Sequence, residues 1–286
     1  MSPPRVGVVG VGAMGMGIAR ALIGKGFPVF ARDIVAEREG EAIGAGAKQL
    51  SGDVDVLISV VVDAAQTQSV VDEHAGRAPV FMMCSTIAPA DSERFAAALA
   101  SRKVTMLDAP ISGGPARSHA GTLSMMASGG DDAFERCGAV IDAIASKCFR
   151  ISGKAGDGSR MKVVNNMLAA ANLAAGCEAM AMASLLGLDR AQAAEVVQAS
   201  SGGSWMFGDR MPRALANDYE PRAAARVLLK DVGLFVHAAR DLGLTAPMAE
   251  CAREIFADTV ARGYAEEDDA AVLKRYADAW RAKVPR

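Results

Sequence analysis

Over the first 150 residues, apolar positions recur as short runs separated by helix-like stretches. Arg5–Val9 and Val29–Ala31 are β-rich, and Val54–Val62 and Val80–Cys84 are almost continuously apolar. Val104–Leu107, Leu123–Ala127 and Cys148–Ile151 are further candidate strands. Between them lie segments such as Ile18, Ala19, Leu22 and Ile23, apolar at helical spacing and stopped by Gly24 and Gly26. Unbroken apolar strands suit a sheet covered on both faces. Their alternation with helices predicts a doubly wound, mostly parallel α/β domain. After Gly158 nothing strand-like follows, and helices punctuated by Gly187, Gly202-Gly203, Pro212, Pro221, Gly243, Pro247 and Gly263 are expected. The division predicted is 1–155 for the α/β domain and 156–286 for an all-α domain, joined by a long helix from about Ser159 to Leu186.

Composition narrows the possibilities. A chain of 286 residues is long enough for two domains with their own cores. A net charge of -2 with both signs dispersed, and no basic block interleaved with aromatics, argues against a nucleic-acid partner. The five cysteines are scattered, and the three histidines share no metal-ligand spacing with them, so free thiols and no metal are expected. Met1-Ser2-Pro3-Pro4-Arg5 does not read as a signal peptide, which makes a cytoplasmic location the expectation. Met167–Leu188 has the length of a membrane span but contains Asn172 and Glu178. A mid-span acid costs roughly 2–3 kcal/mol, so a buried helix of a soluble protein is expected there, with no membrane partner. The same apolar helix suggests a homodimer or homotetramer.

Three clusters carry candidate chemistry. Gly10-Val11-Gly12-Ala13-Met14-Gly15 follows a strand and opens a helix, the context in which G-x-G-x-x-G holds a dinucleotide pyrophosphate. Asp33 closes the second strand and can accept a ribose 2′-OH, which favours NAD; Arg32 and Arg38 nearby keep NADP possible. Ser112-Gly113-Gly114 offers a hydroxyl and backbone N–H groups that suit a carboxylate, and equally suits a plain turn. Lys162 and Asn166 share one face of the long helix. An alcohol giving up hydride needs a group to take its hydroxyl proton, and Lys162 can serve with Asn166 aligning it. A lysine that snorkels or pairs with an acid is the structural alternative.

These segments, with Ser85-Thr86-Ile87-Ala88-Pro89, Gly121-Thr122-Leu123 and Leu229-Lys230-Asp231-Val232-Gly233-Leu234, resemble the β-hydroxyacid dehydrogenase family along essentially the whole chain. That family contains 3-hydroxyisobutyrate dehydrogenase, tartronate semialdehyde reductase and, more distantly, 6-phosphogluconate dehydrogenase. The resemblance implies a Rossmann domain and a helical domain with the active site in a cleft. It implies Lys162 as general acid/base with Asn166 beside it, and Ser112, Gly113, Gly114 and Asn165 toward a small carboxylate-bearing hydroxy acid. It also implies Val62, Thr86 and Lys230, besides the glycine turn, toward the cofactor. Val62-Asp63-Ala64-Ala65-Gln66, Gly203-Ser204-Trp205-Met206-Phe207 and Gly263–Asp269 are similar to a subgroup that oxidises the 2-hydroxyl of L-threonate with NAD. Reduction of a small aldehyde acid and a non-catalytic dinucleotide-binding module are the alternatives. Arg117-Ser118 departs from the Gly-Ala of many members; Arg117 is a solvated surface residue or a contact for a second acidic group, which would point away from threonate.

Overall fold

Three strands at the centre of the sheet are buried at every residue, β1 (Val6–Val9), β4 (Val56–Ser59) and β5 (Val80–Met83), and β6 (Thr105–Asp108) beside them is buried but for its first residue. Alternate residues enter two separate cores. Val6, Val8, Val56, Ile58, Val80 and Met82 pack on one face, while Val9, Leu57, Phe81 and Met83 pack on the other. This is why these strands are apolar at every position rather than every second one.

The computed structural model describes residues 2–281. In chain order the remaining elements of the first part are α1 (Ala13–Gly24), β2 (Val29–Arg32), α2 (Ala36–Gly44), β3 (Lys48–Gln49), α3 (Ala64–His74) and α4 (Pro89–Ser101). Then come β7 (Ile111–Ser112), α5 (Gly114–Ala120), β8 (Leu123–Ser128), α6 (Asp131–Ile144) and β9 (Ala145–Ser152). The sheet runs β3-β2-β1-β4-β5-β6-β8, parallel from β3 to β6. β6 and β7 pair with β8 antiparallel, and β9 pairs with β8 in parallel. The chain order reverses between β1 and β4, the topological switch at which doubly wound sheets bind ligands beyond their carboxyl ends.

The helices that follow are α7 (Asp157–Leu185), α8 (Arg190–Ala199), α9 (Trp205–Leu215), α10 (Ala225–Asp241), α11 (Pro247–Thr259) and α12 (Val272–Arg281). They share a core of Leu173, Cys177, Met211, Val232 and Phe256, among others. Phe207 is buried against Gly176, where a Cβ would come within 2.6 Å of its ring. Met206 is buried with it while Trp205 stays half exposed, so the Trp205-Met206-Phe207 run is mainly core. Arg210 is buried and forks onto Asp269 at 2.7 and 3.2 Å, tying α9 to the turn before α12. Helix α7 is long and apolar enough to cross a membrane by length and composition alone, and a third of its most apolar window is buried.

Two compact units result, Met1–Lys162 and the residues from Val163 onward. The division falls inside α7, because the first turn of that helix is bonded to β6 and β8, as described next.

Candidate active site

The turn after β1 is built by glycines with different tasks. Gly10 has φ 88°, and a Cβ there would strike the Val60 carbonyl. A Cβ on Gly15 would overlap the Gly10 carbonyl oxygen. At Gly12 the nearest atom to a Cβ is Arg38 Nη1, 3.9 Å away, so this glycine opens onto unfilled space. The N-terminus of α1 has no side-chain cap and no acid in its first turn. Open space facing uncapped N–H groups is what a dinucleotide pyrophosphate requires, so the residues fit that group.

Asp33 is buried at the end of β2. Its Oδ2 accepts the Val11 N–H at 2.7 Å and its Oδ1 accepts the Val35 N–H at 2.9 Å. The carboxylate therefore braces the glycine turn, and each oxygen keeps a further lone pair. Arg32 is committed to Glu39 at 2.9 Å, and Glu39 also accepts the Asp33 N–H. Burial would raise the Glu39 carboxyl, yet these hydrogen bonds hold it below its usual range. Val62 and Thr86 stand in the loops after β4 and β5, which are joined by the Val61 N–H donating to Ser85 Oγ at 3.3 Å. The Val62 N–H donates to Gln66 at 3.0 Å.

Asp108, at the end of β6, is fully buried and organises the start of α7. Its Oδ2 accepts the N–H groups of Gly156 (2.8 Å) and Ser159 (2.9 Å), and its Oδ1 accepts the Ser159 hydroxyl (2.8 Å). Ser128 of β8 adds a bond to Asp108 and accepts the Gly158 N–H at 2.8 Å. Burial pushes the Asp108 carboxyl above the usual range, against the pull of these bonds. Sequence reasoning missed this hub; an acid closing an apolar strand, just ahead of a glycine loop, was the available signal.

Lys162 lies on α7 just past this anchor and is 7% exposed. Its ammonium donates to the Ile111 carbonyl at 2.7 Å, the peptide immediately before Ser112. Lys162 and the Ser112–Gly114 segment are thus brought together within the first unit. Gly113 and Gly114 have φ 132° and 71°, backbone conformations that favour glycine.

Asn165, Asn166 and Lys230 belong to the second unit. Asn166 Nδ2 donates to Asp231 Oδ2 at 2.7 Å, and its Oδ1 accepts from Asn165 at 3.0 Å. The other Asp231 oxygen pairs with Lys230 at 2.6 Å. Asp231 therefore links Asn166 to Lys230, a bridge between α7 and α10 that sequence spacing did not reveal.

Two family models match successive parts of the chain: residues 5–153 match the NAD binding domain of 6-phosphogluconate dehydrogenase, and residues 156–276 the NAD-binding region of NADP-dependent 3-hydroxyisobutyrate dehydrogenase. L-threonate dehydrogenase of Escherichia coli (strain K12) is 38% identical over 282 residues, covering 94% of this chain and 93% of the relative. The chain belongs to the β-hydroxyacid dehydrogenase family. As a member it is an NAD(P)-dependent dehydrogenase acting on hydroxyl groups. A crystal structure of 3-hydroxyisobutyrate dehydrogenase from Salmonella typhimurium superposes with a TM-score of 0.88 at 37% identity, covering 94% of this chain and 99% of that one. The Mycobacterium tuberculosis 3-hydroxyisobutyrate dehydrogenase with L-serine gives 0.83 at 27% identity, covering 95% and 98%.

Proposed function

We propose that this β-hydroxyacid dehydrogenase oxidises the 2-hydroxyl of a small sugar acid with NAD, L-threonate being the first choice, and that Lys162 is its general acid/base. The carrying observation is the buried Lys162 ammonium on the Ile111 carbonyl, next to the Ser112–Gly114 turn. The substrate carboxylate sits on the N–H groups of that turn, and Lys162 Nζ, having first given up its ammonium proton, takes the hydroxyl proton. Nicotinamide, when bound, accepts the carbinol hydride. In the reverse direction Lys162 returns the proton to the new alkoxide. Asn166, set by Asp231 and Asn165, orients polar groups along the same helix. Asp33 presents its remaining lone pairs to the ribose, which supports NAD over NADP.

The similarity to L-threonate dehydrogenases supports the substrate. The similarity to the Salmonella 3-hydroxyisobutyrate dehydrogenase favours that acid, or an aldehyde acid such as tartronate semialdehyde, as the second reading. We also propose a cytoplasmic homo-oligomer: Met161, Val164, Leu168, Met182 and Leu186 are exposed at helix-face spacing along and just beyond α7. The test is NADH formation with a panel of three- and four-carbon hydroxy acids, for wild type and Lys162→Ala. Loss of a positioned acid/base lowers turnover by about 10²–10⁴-fold. A Lys162→Ala variant active within a few-fold of wild type would show the lysine to be structural. NAD binding without turnover of any acid would favour a binding module.

A further inference from the structure

Arg117 is the fourth residue after Gly113 and faces it from α5. Its stem lies over the glycine: the Cβ that Gly113 lacks would stand 2.7 Å from Arg117 Cδ and 3.0 Å from its Cβ. The guanidinium begins one bond beyond Cδ, on a side chain that is exposed beside the Ser112–Gly114 turn.

The helix that carries Arg117 is held firmly. The Ser118 hydroxyl donates to the Met14 carbonyl at 2.6 Å, and Gly17 leaves room for Ser118 and the His119 backbone against α1. The other flank of the same turn carries the Lys162 ammonium on the Ile111 carbonyl. Two basic residues thus bracket one short turn. Among the described residues, no hydrogen bond or ion pair engages the Arg117 guanidinium. Arginine's planar fork matches a carboxylate with two parallel hydrogen bonds.

We infer that Arg117 is a specificity-determining residue of this site, gripping the acidic group of the hydroxy acid together with the Ser112–Gly114 turn. The inference rests on the proposed placement of the acid at that turn. It assigns a preference for substrates carrying a full negative charge over uncharged alcohols of the same shape.

The test uses wild type, Arg117→Ala and Arg117→Lys, with L-threonate and 3-hydroxyisobutyrate, each beside its uncharged amide, and NAD binding followed by fluorescence. Loss of a charge-assisted hydrogen bond predicts a KM for the acid raised roughly 10- to 100-fold in Arg117→Ala. Turnover at saturation stays within a few-fold, NAD affinity is unchanged, and Arg117→Lys falls between. The amides show no difference among the three proteins. An unchanged KM for the acid, an equal rise for acid and amide, or a parallel loss of NAD affinity would each overturn the assignment. Failure of the underlying reading is separately visible, as retained turnover in Lys162→Ala; a wild type that oxidises neither acid removes both.

Discussion

Replacing Asp108 tests how the start of α7 is held. In Asp108→Ala the N–H groups of Gly156 and Ser159 lose their acceptor inside a fully buried site, while the hydroxyls of Ser128 and Ser159 can turn elsewhere. An orphaned buried donor costs about 1–3 kcal/mol, so two of them imply a loss of about 2–6 kcal/mol. That is a large part of the roughly 5–15 kcal/mol by which domains are stable. Urea unfolding followed by circular dichroism should shift its first transition down by more than about 1 M. Turnover should fall as well, because Lys162 lies one turn beyond Ser159. Asp108→Asn keeps one oxygen for both N–H groups and offers its NH₂ to Ser159 Oγ, so it should remain close to wild type. The pH dependence has a definite sign. The folded carboxyl titrates above its unfolded value, so over that interval the folded protein binds the extra proton. Wild type therefore loses stability relative to Asp108→Asn as pH rises from the ordinary aspartate range through the raised value, and the gap is constant above it. An Asp108→Ala protein within about 1 kcal/mol of wild type would refute the accounting. An Asp108→Asn protein as unstable as Asp108→Ala would show that charge, rather than acceptor geometry, holds the turn.

Gly12→Ala and Gly15→Ala should separate binding from folding. The first should keep its melting temperature while NAD affinity drops at least about tenfold, and the second should lose stability or soluble expression, because its methyl overlaps the Gly10 carbonyl. Equal behaviour of the two in calorimetry would contradict the assignment of roles. Asp33→Ala should weaken NAD by about 10-fold or more and NADP less, measured by cofactor titration; equal losses would leave Asp33 only its brace on Val11. Asn166→Asp sets a second carboxylate against Asp231, where the amide now donates at 2.7 Å. It should melt lower than Asn166→Ala at pH 7; a variant melting level with Asn166→Ala would argue against their proximity.

The sheet was legible because both faces are covered and each central strand announces itself by unbroken apolar sequence. The same rule overran at Val54–Val62, where only Val56–Ser59 is strand. Val60 and Val61 are apolar because they pack on the Gly10 turn, a reason that composition cannot separate from strand burial. Lys48–Gln49 and Ile111–Ser112 were missed as strands, being too short to show any period. In the site, the glycine spacing and the Lys162–Asn166 interval could be read directly. The bonds that position them could not, since Asp108 reaches Ser159 and Lys162 reaches Ile111 across 51 residues in each case. Asp33 shows a different limit: the motif predicts a polar role toward a ligand and gives no sign of its grip on the turn itself.

The Lys162–Ile111 bond ties chemistry to selection. The proposed base takes its bearing from the very peptide that leads into the turn proposed to seat the acid. On that reading, an ill-fitting substrate that shifts this turn also drags the Lys162 nitrogen away from the alcohol proton. Such a substrate pays in the rate of the chemical step even after it has bound. Efforts to retune substrate choice by mutating 112–114 should accordingly be screened on kcat, since a gain in affinity there can arrive with a misaimed lysine.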